Sequence, residues 1–505
     1  MLSAAEIRRF VTDAASMLAR QRDLAAFEIY CSSSEQVVAR LNHTGEIASR
    51  GVEEVKSLTA DGFALRVITR RDAHEVGAAS VAGDLSMEAV RRALRQAMDA
   101  AVLDPNFPGL PAAAHAPRPT TGAAELLALS HLAVARAAWT ALEGATREFA
   151  RRVARDLSNP GLIIGGDFTL TRERVAQASS AMAGIRTDRD AYFTASITVI
   201  VEALQAKAAA GAMGRSQTEL QRAQSLLGRD AVRRALASNA PVCPPSGKYR
   251  VLLGAQPLAE ILSYMVIPSL TTGAFYRADS AYHGRFGGQV MDPRISLIDD
   301  PAHGAIRRSM TCEGMPAQRT SLIRNGRLTG LLSNHYDSHR LAADRARTEK
   351  LGESGPANFA AGSGYRLADY GGRRFDATLH TSATNVLMKT TDGKSQPELI
   401  KAVRNGILIG RVWYTYPING QRAGDFTCTV SGDSYLIEDG RLTAPIAPNC
   451  LRINAHIDDV FGAPCAVGIR ALPAFVWGQP EAFYLPSLAV DHLPLASIPD
   501  ASGAR

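Results

Sequence analysis

The sequence is poor in lysine, in cysteine and in charge, and each shortage excludes something. Only seven of its 56 basic residues are lysine (Lys56, Lys207, Lys248, Lys350, Lys389, Lys394, Lys401), which leaves 49 arginines spread along 505 residues. No dense basic run or aromatic-interleaved basic patch occurs, so the net charge of +7 reads as arginine bias of the kind a GC-rich coding sequence produces. That argues against nucleic acid as a partner. Six cysteines (Cys31, Cys243, Cys312, Cys428, Cys450, Cys465) are too few for a disulfide scaffold, and none forms a C-x-x-C pair. No run of 18 apolar residues exists; the best stretch, 126–142, is interrupted by His131 and Arg136. Residues 3–20 carry Glu6, Arg8, Arg9 and Asp13 and lack the apolar centre of a signal peptide. These absences predict a soluble, cytoplasmic protein with no nucleic-acid and no membrane partner.

What is present is enough apolar residue, 46%, for the cores of about two large domains. Ser3 and Glu6 have capping-box spacing, and Ile7, Phe10, Val11, Ala14, Met17 and Leu18 follow at helical spacing, which predicts a first helix. Runs at 26–32, 36–41, 62–69 and 75–81 predict strands of a small antiparallel sheet. Helices are predicted at 86–103, 122–156 and 217–238, a proline-rich loop at 104–121 and strands within 161–202. After Pro241 short β-prone runs dominate. Asn325-Gly326 and Asp439-Gly440 predict tight hairpins, and 397–405 a helix ended by Gly406. The expected class is α+β. Residues 1–240 would form an N-terminal α/β domain with a small sheet and long helices. Residues 241–505 would form a C-terminal, mainly antiparallel β domain.

Local motifs for chemistry are incomplete. Pro245-Ser246-Gly247-Lys248 lacks the glycine spacing of a phosphate loop and reads as a turn before strand 249–253. Gly352-Glu353-Ser354-Gly355 is one residue short of a nucleophile elbow. His335 and His339 stand at i and i+4, so on a helix both could reach one ion. Tyr336, however, occupies the place of the usual glutamate, and spacing shows no third ligand. Cys312 reads as a buried structural thiol, and Asp299-Asp300 before Pro301 as turn chemistry.

An ordered set of segments carries more. They are Gly62-Phe63-Ala64-Leu65-Arg66-Val67-Ile68; residues 227–236 followed by Pro245-Ser246-Gly247-Lys248-Tyr249-Arg250; Asp299-Asp300-Pro301, Glu313-Gly314-Met315-Pro316, Thr320 and 322–328; then Glu398-Leu399-Ile400, Gly406-Ile407, Gly424-Asp425-Phe426 and 437–442. Spanning nearly the whole chain, the set resembles the TldD/TldE (PmbA) family of metallopeptidases. Members of TldD character carry H-E-x-x-x-H shortly after the strand that 249–253 resembles. Its histidines hold the catalytic metal, a later cysteine can complete the site, and the glutamate is the base. Here residues 256–268 contain no histidine, and His283 is too distant. The resemblance therefore implies a TldE/PmbA-type subunit of a heterodimeric metallohydrolase, with no metal or cofactor of its own. A TldD-like, H-E-x-x-x-H-bearing partner would supply a zinc-like divalent metal and the base. The implied reaction is cleavage of an amide bond in a peptide or peptide-like substrate, natural products included. Tyr264, Tyr276 and Arg277, in or just after the segment that replaces the metal motif, are expected to face substrate. Two other readings stay open: a self-sufficient hydrolase using His335, His339 or a cysteine, and a non-enzymatic scaffold or binding homodimer.

Overall fold

The computed structural model describes residues 1–45, 47, 51–113, 117, 118, 120–153, 160–368 and 372–498. The first helix, α1 (Ala4–Leu18), forms as its sequence dictates. Ser3 Oγ accepts from the Glu6 amide (3.2 Å) while the Glu6 carboxylate accepts from the Ser3 amide (2.7 Å). Its apolar face buries Ile7, Phe10, Val11, Ala14 and Leu18. There follow β1 (Leu24–Thr44), β2 (Lys56–Thr69), β3 (Glu75–Ala82), α2 (Met87–Asp99), β4 (Val102–Leu103), α3 (Ala124–Leu127), α4 (His131–Arg152), β5 (Leu162–Ser179), β6 (Arg186–Val201), β7 (Ala206–Gly214) and α5 (Gln217–Ala237). The strands make one antiparallel sheet in the order β4-β3-β2-β1-β5-β6-β7.

Two expectations are corrected here. The runs 26–32 and 36–41 are a single strand, β1, because the serines between them stay in the ladder. Ser32 and Ser33 are buried yet partnered: Ser32 Oγ accepts from the Phe375 amide (2.7 Å) and Ser33 Oγ from the Leu2 amide (2.9 Å). The helix expected over 122–156 is two helices, since Ser130 accepts from the Ala133 amide (3.2 Å) and so starts α4 afresh. Residues 154–156 lie outside the described residues.

From β8 (Gly247–Leu253) onward the chain builds two more large sheets and a two-stranded one, Gly364–Arg366 with Leu379–Thr381. A nine-stranded sheet has Arg411–Pro417 and Arg441–Pro445 at its edges, and a six-stranded sheet has Leu472–Phe475 at one edge. Both hairpins form where expected, with Asn325 (φ 48°) and Gly326 (φ 75°), and Asp439 (φ 47°) and Gly440 (φ 73°), in the left-handed region that such turns require. The helix expected over 397–405 is Gln396–Val403, and Arg404 (φ 60°), not Gly406, turns the chain out of it. Gly406 instead opens the next strand, where a Cβ would lie 2.1 Å from the Arg250 carbonyl oxygen. The mixed architecture is α+β.

Buried charge locks the later sheets to the first. Arg373 is fully buried; its Nε donates to Glu173 on β5 (2.7 Å) and its Nη1 to Asp188 on β6 (3.0 Å). Arg308, also buried, has its Nε 3.8 Å from Glu173. Burial works against the charge of Arg373, but Glu173 and Asp188 outweigh it and hold the guanidinium ionised. Replacing Arg373 by Met strands two buried carboxylates, and should cost about 3–5 kcal/mol of unfolding free energy in a urea titration. A loss under about 1 kcal/mol would show that this network does not hold the sheets together.

Candidate functional site: a cleft where three sheet edges meet

β7 is the last strand of the first sheet, Arg411–Pro417 an edge of the second and Leu472–Phe475 an edge of the third. Residues of all three line one cavity of about 1550 Å3, with α5 and the segment after β8 completing its wall. β7 reads Ala-Lys-Ala-Ala-Ala-Gly-Ala-Met-Gly, so its side chains take little room. At the opposite wall Gly432, paired with Arg411, sits against β7: a Cβ there would be 3.1 Å from the Lys207 carbonyl oxygen. Asp433 Oδ2 accepts from the Ala209 amide (3.1 Å) and ties the two walls.

The segment after β8 is α6 (Ala255–Ile261), continued by a π-helical turn over 262–266 and a last helical turn at 267–269. Spacing of four puts Gln256, Glu260 and Tyr264 on the cleft side. Gln256 is committed to the neighbouring edge strand: its Nε2 donates to the Val412 carbonyl (3.1 Å) and its Oε1 accepts from the Val412 amide (2.9 Å). It also donates to Glu260 Oε1 (3.1 Å). Glu260 is only 8% exposed, and burial pushes its carboxyl up to about 7, although Thr415, Arg411 and Gln256 act against that shift. Cys428 is buried nearby, its thiol pushed up by burial and then by Glu260.

These residues do not fit a resident metal. A zinc-type centre needs three or four nitrogen, sulfur or carboxylate ligands. Here Gln256 is engaged with Val412, and burial disfavours the ionised forms of Glu260 and Cys428. Among the described residues no group of three His, Cys, Asp or Glu is placed to hold an ion.

The residues singled out from sequence fall in two places. Tyr264 lines the cleft. Tyr276 and Arg277 end a short helix, Thr272–Tyr276, away from it. The Tyr276 ring lies under Arg340 (4.1 Å) and Lys350 (4.8 Å), and Arg277 pairs with Asp279 (2.9 Å) at the surface. His335 and His339 do share a helix, His335–Ala343, with ring centroids 4.3 Å apart. His339 Nδ1 bonds the His335 carbonyl (2.9 Å), and burial, then His339, pushes the His335 imidazole down to about 4. Cys312 is buried against Tyr30, and burial pushes its thiol up, the reverse of what a nucleophile needs. Of the acidic pair, Asp300 caps a turn at the Ala302 amide (3.0 Å), while Asp299 is buried and accepts from the Thr384 and Asn385 amides (2.7 and 3.0 Å).

Residues 246–497 match the family model described as the PmbA/TldA metallopeptidase C-terminal domain. The chain belongs to the PmbA/TldD family. It is 30% identical over 233 residues to the metalloprotease TldD homolog of Haemophilus influenzae, covering 44% of this chain and 41% of that protein. A metalloprotease of Methanothermobacter thermautotrophicus is 25% identical over 248 residues, 48% of each chain. The chain thus spans under half the length of these curated relatives. TldE from Thermococcus kodakarensis has the same fold, with a TM-score of 0.77 and 16% identity, covering 98% of this chain and 100% of that one. No helix among the described residues is long and apolar enough to cross a membrane.

Sequence reading passed over the groups that give the cleft its character. Glu260 was visible as one acid on an otherwise apolar helix, but Arg411, Arg234, Lys207 and Asp433 come together only through tertiary contacts. Glu260 also has a pH signature. Its folded value of about 7 lies above the ordinary 4.5, so the stability of its neutral form is full below about pH 4.5 and is lost as pH rises towards 7. Glu260→Gln should therefore be more stable than the parent by about 3 kcal/mol at about pH 8, with the gap closing below about pH 4.5. Urea midpoints at the two pH values measure it; equal gaps at both would remove the buried-carboxyl account.

Proposed function

We propose that this chain is a metal-free, TldE-like subunit of a two-chain metallohydrolase that cleaves an amide bond in a peptide or peptide-like substrate. The observation that carries the reading is the segment 255–269. It follows β8, where the family resemblance would put the metal motif of a TldD-type chain, and it turns Gln256, Glu260 and Tyr264 towards a large cleft. A cleft of that size accommodates several residues of extended chain and supplies walls without a Lewis acid. In this reading the partner provides the metal and the base, and this chain completes the chamber and orients the substrate. Two chains of one fold then form a pseudo-symmetric pair.

The cysteine version of a self-sufficient hydrolase gains nothing from the geometry, because the buried thiols are raised and not lowered. Co-expression with a TldD-type chain carrying H-E-x-x-x-H, followed by purification on a tag of either chain, should recover both in equal amounts. Elemental analysis should find about one divalent metal per pair, and none in this chain purified alone. Stoichiometric zinc in the single chain would overturn the proposal.

A further inference from the structure

The cleft holds more positive than negative charge, and the positive charge is unspent. Its lining carries Lys207, Arg234, Lys394, Arg411 and Arg470 against Asp230, Glu260 and Asp433. Among the described residues none of those five cations has a carboxylate within ion-pair distance, whereas Asp230 is engaged by Arg233 (3.8 Å). Burial holds the Glu260 carboxyl near 7, so it is partly neutral at neutral pH, and burial also raises that of Asp433. Arg411 makes no hydrogen bond with its guanidinium among the described residues, and burial lowers its pKa against the longer-range pull of Asp433 and Glu260. Arg234 spends one donor, at 3.4 Å, on the Ala209 carbonyl. The Lys207 ammonium lies 4.3 Å over the Trp413 ring and feels both burial and Arg411. A guanidinium partly removed from water with no anion in hydrogen-bond reach is costly, and a bound anion removes that cost.

The strand that delivers Arg411 is also distorted. Its register with the next strand shifts between Trp413 and Tyr416, and Tyr414 takes a left-handed φ of 53°. Strain of this kind in a bulky residue persists where surrounding structure enforces it, and it turns Tyr414 and Tyr416 outward at the cleft rim.

We propose that the cleft recognises its ligand by a carboxylate, held by Arg411 with Arg234 and Lys207, while Trp413, Tyr414 and Tyr416 pack against the adjoining residues. The inference rests on reading this cleft as the substrate chamber. It adds that the substrate is anionic where it meets this subunit. Such a carboxylate could be a peptide C-terminus or an acidic side chain.

The full chain, purified alone, tests this by quenching of tryptophan fluorescence. Three tripeptide probes are titrated: acetyl-Ala-Ala-Phe as the free acid, its C-terminal amide, and acetyl-Ala-Glu-Phe amide. At least one of the two carboxylate probes should bind about tenfold or more tighter than the neutral amide, and its identity names the source of the carboxylate. The preference should weaken in about 0.5 M salt. It should shrink to about twofold in Arg411→Gln and be partly restored in Arg411→Lys. Should Arg411→Gln not fold, Arg234→Gln and Lys207→Gln must each reduce the same preference. Equal binding of all three probes, no binding of either acid, or a preference untouched by the substitutions would overturn the proposal. Because the readout needs neither partner nor turnover, its failure leaves the subunit reading standing. A failed co-purification, conversely, leaves the carboxylate site standing.

Discussion

Asp188 and Asp190, on one face of a single strand, accept from the Ser309 and Arg307 amides (3.0 and 2.7 Å), while Arg373 spans Glu173 and Asp188 from the other side. This buried exchange between the first sheet and the later chain fixes everything else. A sheet edge cannot line a cleft unless the opposite wall keeps its place, and the two large apolar cores are separate clusters. Among the described residues only small apolar clusters cross the join, Tyr30 and Val175 with Met310, Tyr365 and Phe375, and Tyr192 with Ile306 and Ala482, so buried charge and these contacts set the registration together. The expense is visible in Asp190, which burial, then Glu173, pushes up to about 7 although Arg215 lies 3.2 Å away. Buried ion networks of this kind specify an arrangement more than they add net stability.

The same locking gives the cleft its chemistry. Closing three sheet edges around one cavity buries backbone and side chains that would otherwise meet water. Burial raises the carboxyl of Asp433 and pushes that of Glu260 up to about 7, whereas arginine cannot discharge near neutral pH. The outcome is a chamber whose acids are muted and whose cations are not. Gln256 fastens the segment after β8 to the Val412 backbone, and the polar positions serve the wall.

Much of the fold was legible because it is local. The Ser3–Glu6 box, the Asn-Gly and Asp-Gly turns and the amphipathic α5 are decided by neighbours within a few residues. What failed was decided from afar. The polar residues 33–35 separated two expected strands, yet they stay in one ladder, and the Leu2 and Phe375 amides give the buried Ser33 and Ser32 partners. Gly406 looked like a helix stop, but it is needed for a strand passing the Arg250 carbonyl. At the site Tyr264 lines the cleft, whereas the turn after Val266 carries Tyr276 and Arg277 to another face, beside Arg340 and Asp279. Arg411 had no signature at all, since its neighbours Lys207, Arg234 and Glu260 are about 150 to 200 residues away in sequence.

The central claim is that this chain is one wall of a chamber whose metal belongs to another. Amide-bond hydrolysis measured on this chain alone, on a TldD-type partner alone and on the two mixed tests it most directly. The account predicts turnover only in the mixture, abolished by chelation and restored by metal returned to the partner before mixing. Turnover by this chain alone, resistant to chelation, would contradict it.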